Sequence, residues 1–257
     1  APGAERAIAS PRCGSLRESA TALEMVAWQR EEEPRSLVRL DLDGAITARG
    51  PELEVFTGAF WWGRAVTAGS SGLILAMREG VEPSEVWAQR VVELEPIEPA
   101  FRWRVLDRPA SRIGLTPRRD GTLVGWLEGQ NHESQERFLS MAALGPDARW
   151  LAEPAPISDV VFYRDAGWSM SAFEDLHVVI AVEDRARDRR GEQTRLWLVP
   201  VGASARALSS AISLYDGAFV RTPIVRAHPS GALVVFRGTG PTSFTGEVFA
   251  LPVRCVR

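Results

Sequence analysis

Three histidines, two cysteines and a surplus of tryptophan and arginine set the chemistry open to this chain of 257 residues. His132-Glu133 lacks the second histidine that would place two imidazoles on one helical face, so it is not a metalloprotease motif. His132, His177 and His228 lie in three separated stretches, and the expectation is solvated or turn histidines and no metal site. A serine nucleophile on a sharp elbow needs G-x-S-x-G, which does not occur; Gly69-Ser70-Ser71-Gly72 comes nearest and reads as a turn. Neither Cys13 nor Cys255 has a histidine near it in sequence, which argues against a cysteine nucleophile. All 30 basic residues are arginine, so a phosphate loop with its lysine is excluded, and no cofactor is called for.

Binding chemistry has better material. Nine tryptophans stand against two tyrosines, and Trp61-Trp62-Gly63-Arg64 sets two indoles beside a guanidinium. Alternate strand residues face opposite sides, so one indole of the pair packs inward and the other is offered to a ligand or partner. Trp61, Trp62, Arg64, Arg112 and His132 are the candidate contacts. Trp87, Trp126 and Trp197 fall inside apolar runs and read as packing residues. The stretch RARDRRGE, residues 185–192, reads as a long solvated loop.

A net charge of −3 offers no clustered positive field for nucleic acid. No window approaches 18 consecutive apolar residues, so no membrane span is expected. The Ala1-Pro2 start is of the kind that a removed signal peptide leaves, and the expected location is secreted, periplasmic or cell surface. Cys13 and Cys255 are a candidate disulfide closing nearly the whole chain.

The elements that would hold these residues are strands. Few windows show helical periodicity, whereas short β-branched and aromatic runs recur. SSGLILAMREG, RDGTLVGWLEG and PSGALVVFRG are alike, and TALEMVAWQRE and EDLHVVIAVED are weaker copies. Setting Trp28, Met77, Trp126, Val182 and Phe236 as equivalent gives steps of 49, 49, 56 and 54 residues. After each copy comes a polar loop and a second apolar run: SLVRLDL, EVWAQRVVEL, ERFLSMAAL, TRLWLVPV or EVFALPV. Glycine turns follow at Gly44, Gly145 and Gly202, then outer runs such as FRWRVLD and ARWLAEP. Short inner runs precede the copies: RAVTAG, RIGLTP, VVFYRD and IVRAHP. Four antiparallel strands per fifty residues describe a β-propeller blade. The expected fold is one all-β domain of five four-stranded blades, six being the runner-up. The blades would span about 13–55, 57–107, 110–153, 157–216 and 220–257, with residues 3–10 supplying the last blade's outer strand.

Thr116-Pro117-Arg118-Arg119-Asp120-Gly121 and His228-Pro229-Ser230-Gly231 resemble the Ser-Pro-Asp-Gly turn of TolB-type, WD40-like propeller repeats. LVRLDLDGAIT, residues 37–47, is similar to that repeat's third strand and glycine turn. The resemblance implies a fold and leaves function open. Closure by residues 3–10 competes with the disulfide, because it would separate Cys13 from Cys255 by a strand length, roughly 20 Å, and a disulfide needs Cα atoms within about 7 Å.

Five-bladed propellers include sugar-cleaving families whose carboxylates project into the central channel. Such chemistry needs two carboxyls about 5–9 Å apart. Asp107, Asp159, Asp165 and Asp216, near the inner strands and the loops leading into them, are the candidates if the chain is an enzyme. The sequence lacks paired motifs around them. The expectation is therefore a non-enzymatic binding or scaffold module with a protein or glycan partner, and with a place in a larger assembly open to it. A glycan-acting hydrolase or lyase with channel carboxylates is the alternative.

Overall fold

The computed structural model describes the chain apart from residues 1–11, 19–22, 29–34, 42, 44, 57–60, 69–70, 79–83, 107, 119, 130–135, 146, 148, 158–161, 164–166, 174–176, 189–190, 218–219, 229, 239–246 and 255–257. It divides into two compact units, residues 1–79 with 85–105, and residues 80–84 with 106–257. Five antiparallel sheets follow one another along the chain, each a meander in sequence order. Successive meanders of this kind are the blades of a β-propeller.

The first sheet holds β1 (Arg12–Glu18), β2 (Leu23–Trp28), β3 (Ser36–Leu40) and β4 (Ile46–Glu52). The second holds β5 (Trp61–Ala68), β6 (Ser71–Arg78), β7 (Ser84–Val92), β8 (Glu95–Pro96) and β9 (Phe101–Leu106). The third holds β10 (Ala110–Arg118), β11 (Gly121–Glu128), β12 (Glu136–Leu144), β13 (Trp150–Pro156) and β14 (Phe162–Tyr163). The fourth holds β15 (Trp168–Phe173), β16 (His177–Asp188), β17 (Gly191–Val201) and β18 (Ile212–Gly217). The fifth has three described strands, β19 (Val220–His228), β20 (Gly231–Gly238) and β21 (Glu247–Arg254). Residues 3–10, expected to complete this sheet, lie outside the described residues.

Turn chemistry sets the registers. Gly121 and Gly231 open β11 and β20 with φ of +145° and +146°, and a Cβ at either would lie 1.9 Å from a backbone oxygen, that of Leu144 or Val253. Only glycine fits both demands. At the second of these turns His228 Nδ1 accepts the Ser230 N–H at 3.3 Å and lies 2.9 Å from Ser230 Oγ, so His228 is a turn residue. Ala68 pairs with Ser71, and Gly69 and Ser70 between them lie outside the described residues. Third strands leave through five-residue turns, closed by Asp41 N–H to Ala45 O, Gly145 N–H to Arg149 O and Gly202 N–H to Arg206 O. In the first sheet Asp41 holds the position of Gly145 and Gly202, and its side chain also accepts the Asp43 and Ala45 amides, while Gly44 lies outside the described residues.

Three features differ from the sequence reading. The inner strand of the fourth sheet is β15, WSMSAF, whereas Phe162 and Tyr163 of the expected VVFYRD run pair with Arg137 and Glu136 of β12. The outer strands of the second and third sheets are each split, β8 with β9 along β7 and β13 with β14 along β12. RARDRRGE is a hairpin extension, its pairing running Arg185 with Thr194 through Asp188 with Gly191.

Strand faces alternate and supply the cores. In the first unit Leu37, Ile74, Ala76 and Val91 gather with Leu53, Val55 and Phe56. A 3-10 turn, Glu54–Phe56, is tied down there: the Val55 amide donates to buried Gln89 Oε1 at 3.3 Å and the Ala100 amide to Glu54 Oε2 at 3.0 Å. In the second unit Leu123, Leu127, Leu139 and Met141 meet Val199, Val201 and Ala205. Leu196 and Leu198 meet Val225, Val234 and Phe236 in a further cluster. Tyr215, Phe236 and Phe249 form an aromatic trio there, with centroids 5.1–5.8 Å apart.

Candidate active site

Channel chemistry in a propeller depends on its innermost strands, and in the second unit three of these lie side by side. Ala172 N–H of β15 donates to Thr116 Oγ1 of β10 at 3.2 Å. Val225 and Ala227 N–H of β19 donate to Ser169 and Ser171 Oγ of β15 at 2.9 and 3.0 Å. Every one of these bonds joins residues 56 apart, so the three strands run parallel in one register and start at the same end. The serines of WSMSAF lace it to β19.

A tryptophan keys two of the strands together. Gly114 of β10 and Gly125 of β11 are a directly paired couple, and a Cβ on them would lie 2.4 and 3.0 Å from the Trp168 ring. Trp168 opens β15 and lays its indole over the gap that the two glycines leave. Gly in a strand interior marks such a close approach.

The inner strands differ at their starting ends. In β1, β10 and β19 the pairing slips by one residue after the second position, between Cys13 and Leu16, Ser111 and Gly114, and Arg221 and Ile224. Each is a β-bulge, a device that re-aims a side chain. Pro223 occupies one of them, where its missing N–H costs no ladder bond. β5 and β15 pair without interruption. In the β10 bulge Arg112 takes φ 53°, in the left-handed region, and is exposed, while the next residue, Ile113, is buried. Trp126, opposite the bulge, is 1% exposed and bonds Glu128 Oε1 through Nε1, so it is a packing residue. Trp87 and Trp197 likewise pack, partly buried, against core clusters.

The remaining candidates fall as follows. Asp216 lies on β18, the edge strand farthest from β15 in its sheet, and forms a 3.3 Å ion pair with Arg195 across the strand pair. Asp107, Asp159, Asp165, His132 and Cys255 lie outside the described residues. In sequence, Asp107 and Asp165 each stand three residues before an inner strand, ahead of Ala110 and Trp168. Trp61, Trp62 and Arg64 are β5 residues paired with Arg78, Met77 and Leu75. Cys13 pairs with Ala27 within the first sheet, and its expected bridge to Cys255 falls outside what is described. Among the described residues no group of three potential ligands could hold a metal ion, and no helix is long and apolar enough to cross a membrane. Sequence reasoning missed Trp168 and the glycine couple; the one visible signal was Gly125 in the middle of RDGTLVGWLEG.

No family model matches the chain, and no curated protein matches it. Solved structures do. An endo-arabinase from Bacteroides thetaiotaomicron VPI-5482 superposes with a TM-score of 0.56 at 6% identity, covering 97% of this chain and 96% of that one. An α-L-arabinofuranosidase from Lactobacillus brevis gives 0.55 at 8% identity over 96% and 92%. A GH43 β-xylosidase/α-arabinofuranosidase from a compost microbial metagenome gives 0.51 at 7% identity over 95% and 92%. At such identities the likeness is one of fold. It nonetheless overturns the expectation of a non-enzymatic module, since these similar propellers are glycoside hydrolases and favour the glycan-hydrolase alternative. The chain has the fold of a β-propeller similar to those of an endo-arabinase, an α-L-arabinofuranosidase and a β-xylosidase/α-arabinofuranosidase.

Proposed function

We propose that the chain is a glycan-acting hydrolase working on pentose-containing polysaccharides, with its chemistry at the end where the inner strands begin. The observation that carries this reading is the match to glycosidase propellers over nearly the full length of both partners. A single shared blade would carry little. Shared length supports reading the inner strands here as counterparts of theirs.

Within this reading Asp107 and Asp165 are the reacting carboxyls, chosen because each precedes its inner strand by the same three residues and those strands are bonded neighbours. One carboxyl protonates the leaving glycosidic oxygen. The other attacks the anomeric carbon or takes a proton from the attacking water. A separation of about 5–5.5 Å gives retention and about 6.5–9.5 Å gives inversion. Asp159, six residues before Asp165, is the further carboxylate of the set. Asp216 is left out of it, because its cross-strand pair with Arg195 accounts for it at the sheet edge. The turns at residues 116–121 and 228–231 keep their TolB-like motif in this reading, as loops on a fold that glycosidases also use.

The test is sugar release by the full chain from arabinan, arabinoxylan and xylo-oligosaccharides, with Asp107→Asn, Asp159→Asn and Asp165→Asn alongside. Release that falls in the Asp107 and Asp165 variants supports the reading. A folded protein that releases nothing from any of the glycans contradicts it.

A further inference from the structure

We infer that Arg112 is a substrate-gripping residue for an anionic group on the glycan, a uronate carboxylate or a sugar phosphate. The inference rests on the hydrolase reading for its setting and adds to it the class of substrate. The chain has 30 arginines and no lysine, so an arginine alone says little. What singles out Arg112 is where it stands and how firmly that place is built.

Its backbone has φ 53°, a conformation that side chains other than glycine, asparagine and aspartate seldom adopt. Glycine would sit there at no steric cost. The other two bulges carry Gly14-Ser15 and Thr222-Pro223, so the charged one is that of β10. The seat is fastened on several sides. Ile113 is 3% exposed, Trp126 fills the opposite strand at 1%, the Ala110 amide donates to fully buried Ser84 Oγ at 3.1 Å, and the Gly129 amide donates to Pro109 O at 2.9 Å. Arg112 itself remains exposed, and so does Arg108, four residues upstream. Arg112 also has an interaction of its own within the protein. Strain held in place by a rigid surround is the pattern of a preorganised contact.

The position fits a reacting site. Arg112 is the third residue of β10 and follows Asp107 by five residues in sequence. A guanidinium offers two parallel N–H groups to two oxygens of one group, which matches a carboxylate or a phosphate better than a single hydroxyl.

The test is binding by the full chain, read by titration calorimetry, with oligogalacturonate, xylose phosphate and neutral xylo-oligosaccharide as separate probes. Arg112→Gly is the informative variant, because φ 53° welcomes glycine and the fold is expected to hold or gain thermal stability. Arg112→Lys keeps the charge and loses the fork. Arg195→Gln removes the same charge from a surface ion pair and serves as the control. The expected result is that wild-type protein prefers one anionic probe, that Arg112→Gly lowers affinity for that probe by about tenfold, that Arg112→Lys falls between, and that Arg195→Gln matches wild type. The probe that responds tells carboxylate from phosphate. Equal affinity of wild type and Arg112→Gly for both anionic probes overturns the inference, and so does a wild type that binds neither better than the neutral glycan. If hydrolysis is found on neutral glycans while Arg112→Gly changes nothing, the inference fails and the hydrolase reading stands. If Arg112-dependent anion binding is found without hydrolysis, the hydrolase reading fails and the inference stands.

Discussion

The neighbouring strands β10 and β15 begin alike and then part. Each follows an aspartate by three residues, and each contributes to the same hydroxyl-laced row. In β15 the pairing to β16 is unbroken, and its first residue, Trp168, is spent on packing against Gly114 and Gly125. In β10 the ladder slips, and the third residue, Arg112, is held out to solvent in a strained conformation. Regular pairing and filled space are what stability alone would select. In the reading proposed above, the difference between the two strands separates the part of the site that holds the fold from the part offered to a ligand.

The sharpest way to break this comparison is at the acids. Asp107→Asn and Asp165→Asn are each expected to lower glycan cleavage by about 10²–10⁴-fold with the thermal midpoint unmoved, as read by sugar release and calorimetry. A loss confined to one of them would sink the pairing of the two strands as chemical partners. Next comes the key between the sheets. Trp168→Ala is expected to cost about 3 kcal/mol in denaturant unfolding, and Gly125→Ala about 1–3 kcal/mol by overpacking. Combined, they should cost less than their sum, because the added methyl group then occupies space the indole has left. Strict additivity would contradict the contact.

Smaller effects sharpen the picture. Ser171→Ala leaves the Ala227 amide without its acceptor, at about 1–2 kcal/mol. Asp216→Asn, by contrast, breaks an exposed pair and should cost no more than about 1 kcal/mol. A loss of cleavage in that variant comparable with Asp107→Asn would move the site to the sheet edge.

Much of the fold was readable because its signals are local. Gly121 and Gly231 mark turns where a Cβ would strike a carbonyl, and the second strands after them are short, mostly apolar and largely buried runs. The third strands were readable for the same reason. WSMSAF was not, because its serines look like loop residues until the amides of Val225 and Ala227 are there to meet them. VVFYRD was mistaken for it because an apolar, β-branched run does not name its partner, and here two of its residues pair with β12. RARDRRGE read as a loop by charge, yet a hairpin tip is held by the pairing behind it, and β16 and β17 run in register to Gly191. Gly125 announced a close approach without saying that Trp168 makes it. Arg112 was legible as a candidate contact, but its left-handed seat was not, since such a seat is ordinarily signalled by glycine or asparagine. The carboxylates were legible as types, and their matching distance from the inner strands became visible only once Ala110 and Trp168 were fixed as strand starts.

The central claim is hydrolysis by carboxyls at the starting ends of neighbouring inner strands. It is tested most directly by chromatographic measurement of sugars released from arabinan and xylo-oligosaccharides by the wild-type chain and by Asp107→Asn and Asp165→Asn at equal folded concentration. The account predicts release by the wild type and a fall of at least about a hundredfold in both variants. Release unchanged in both variants, or none from any glycan by a folded wild type, would contradict it.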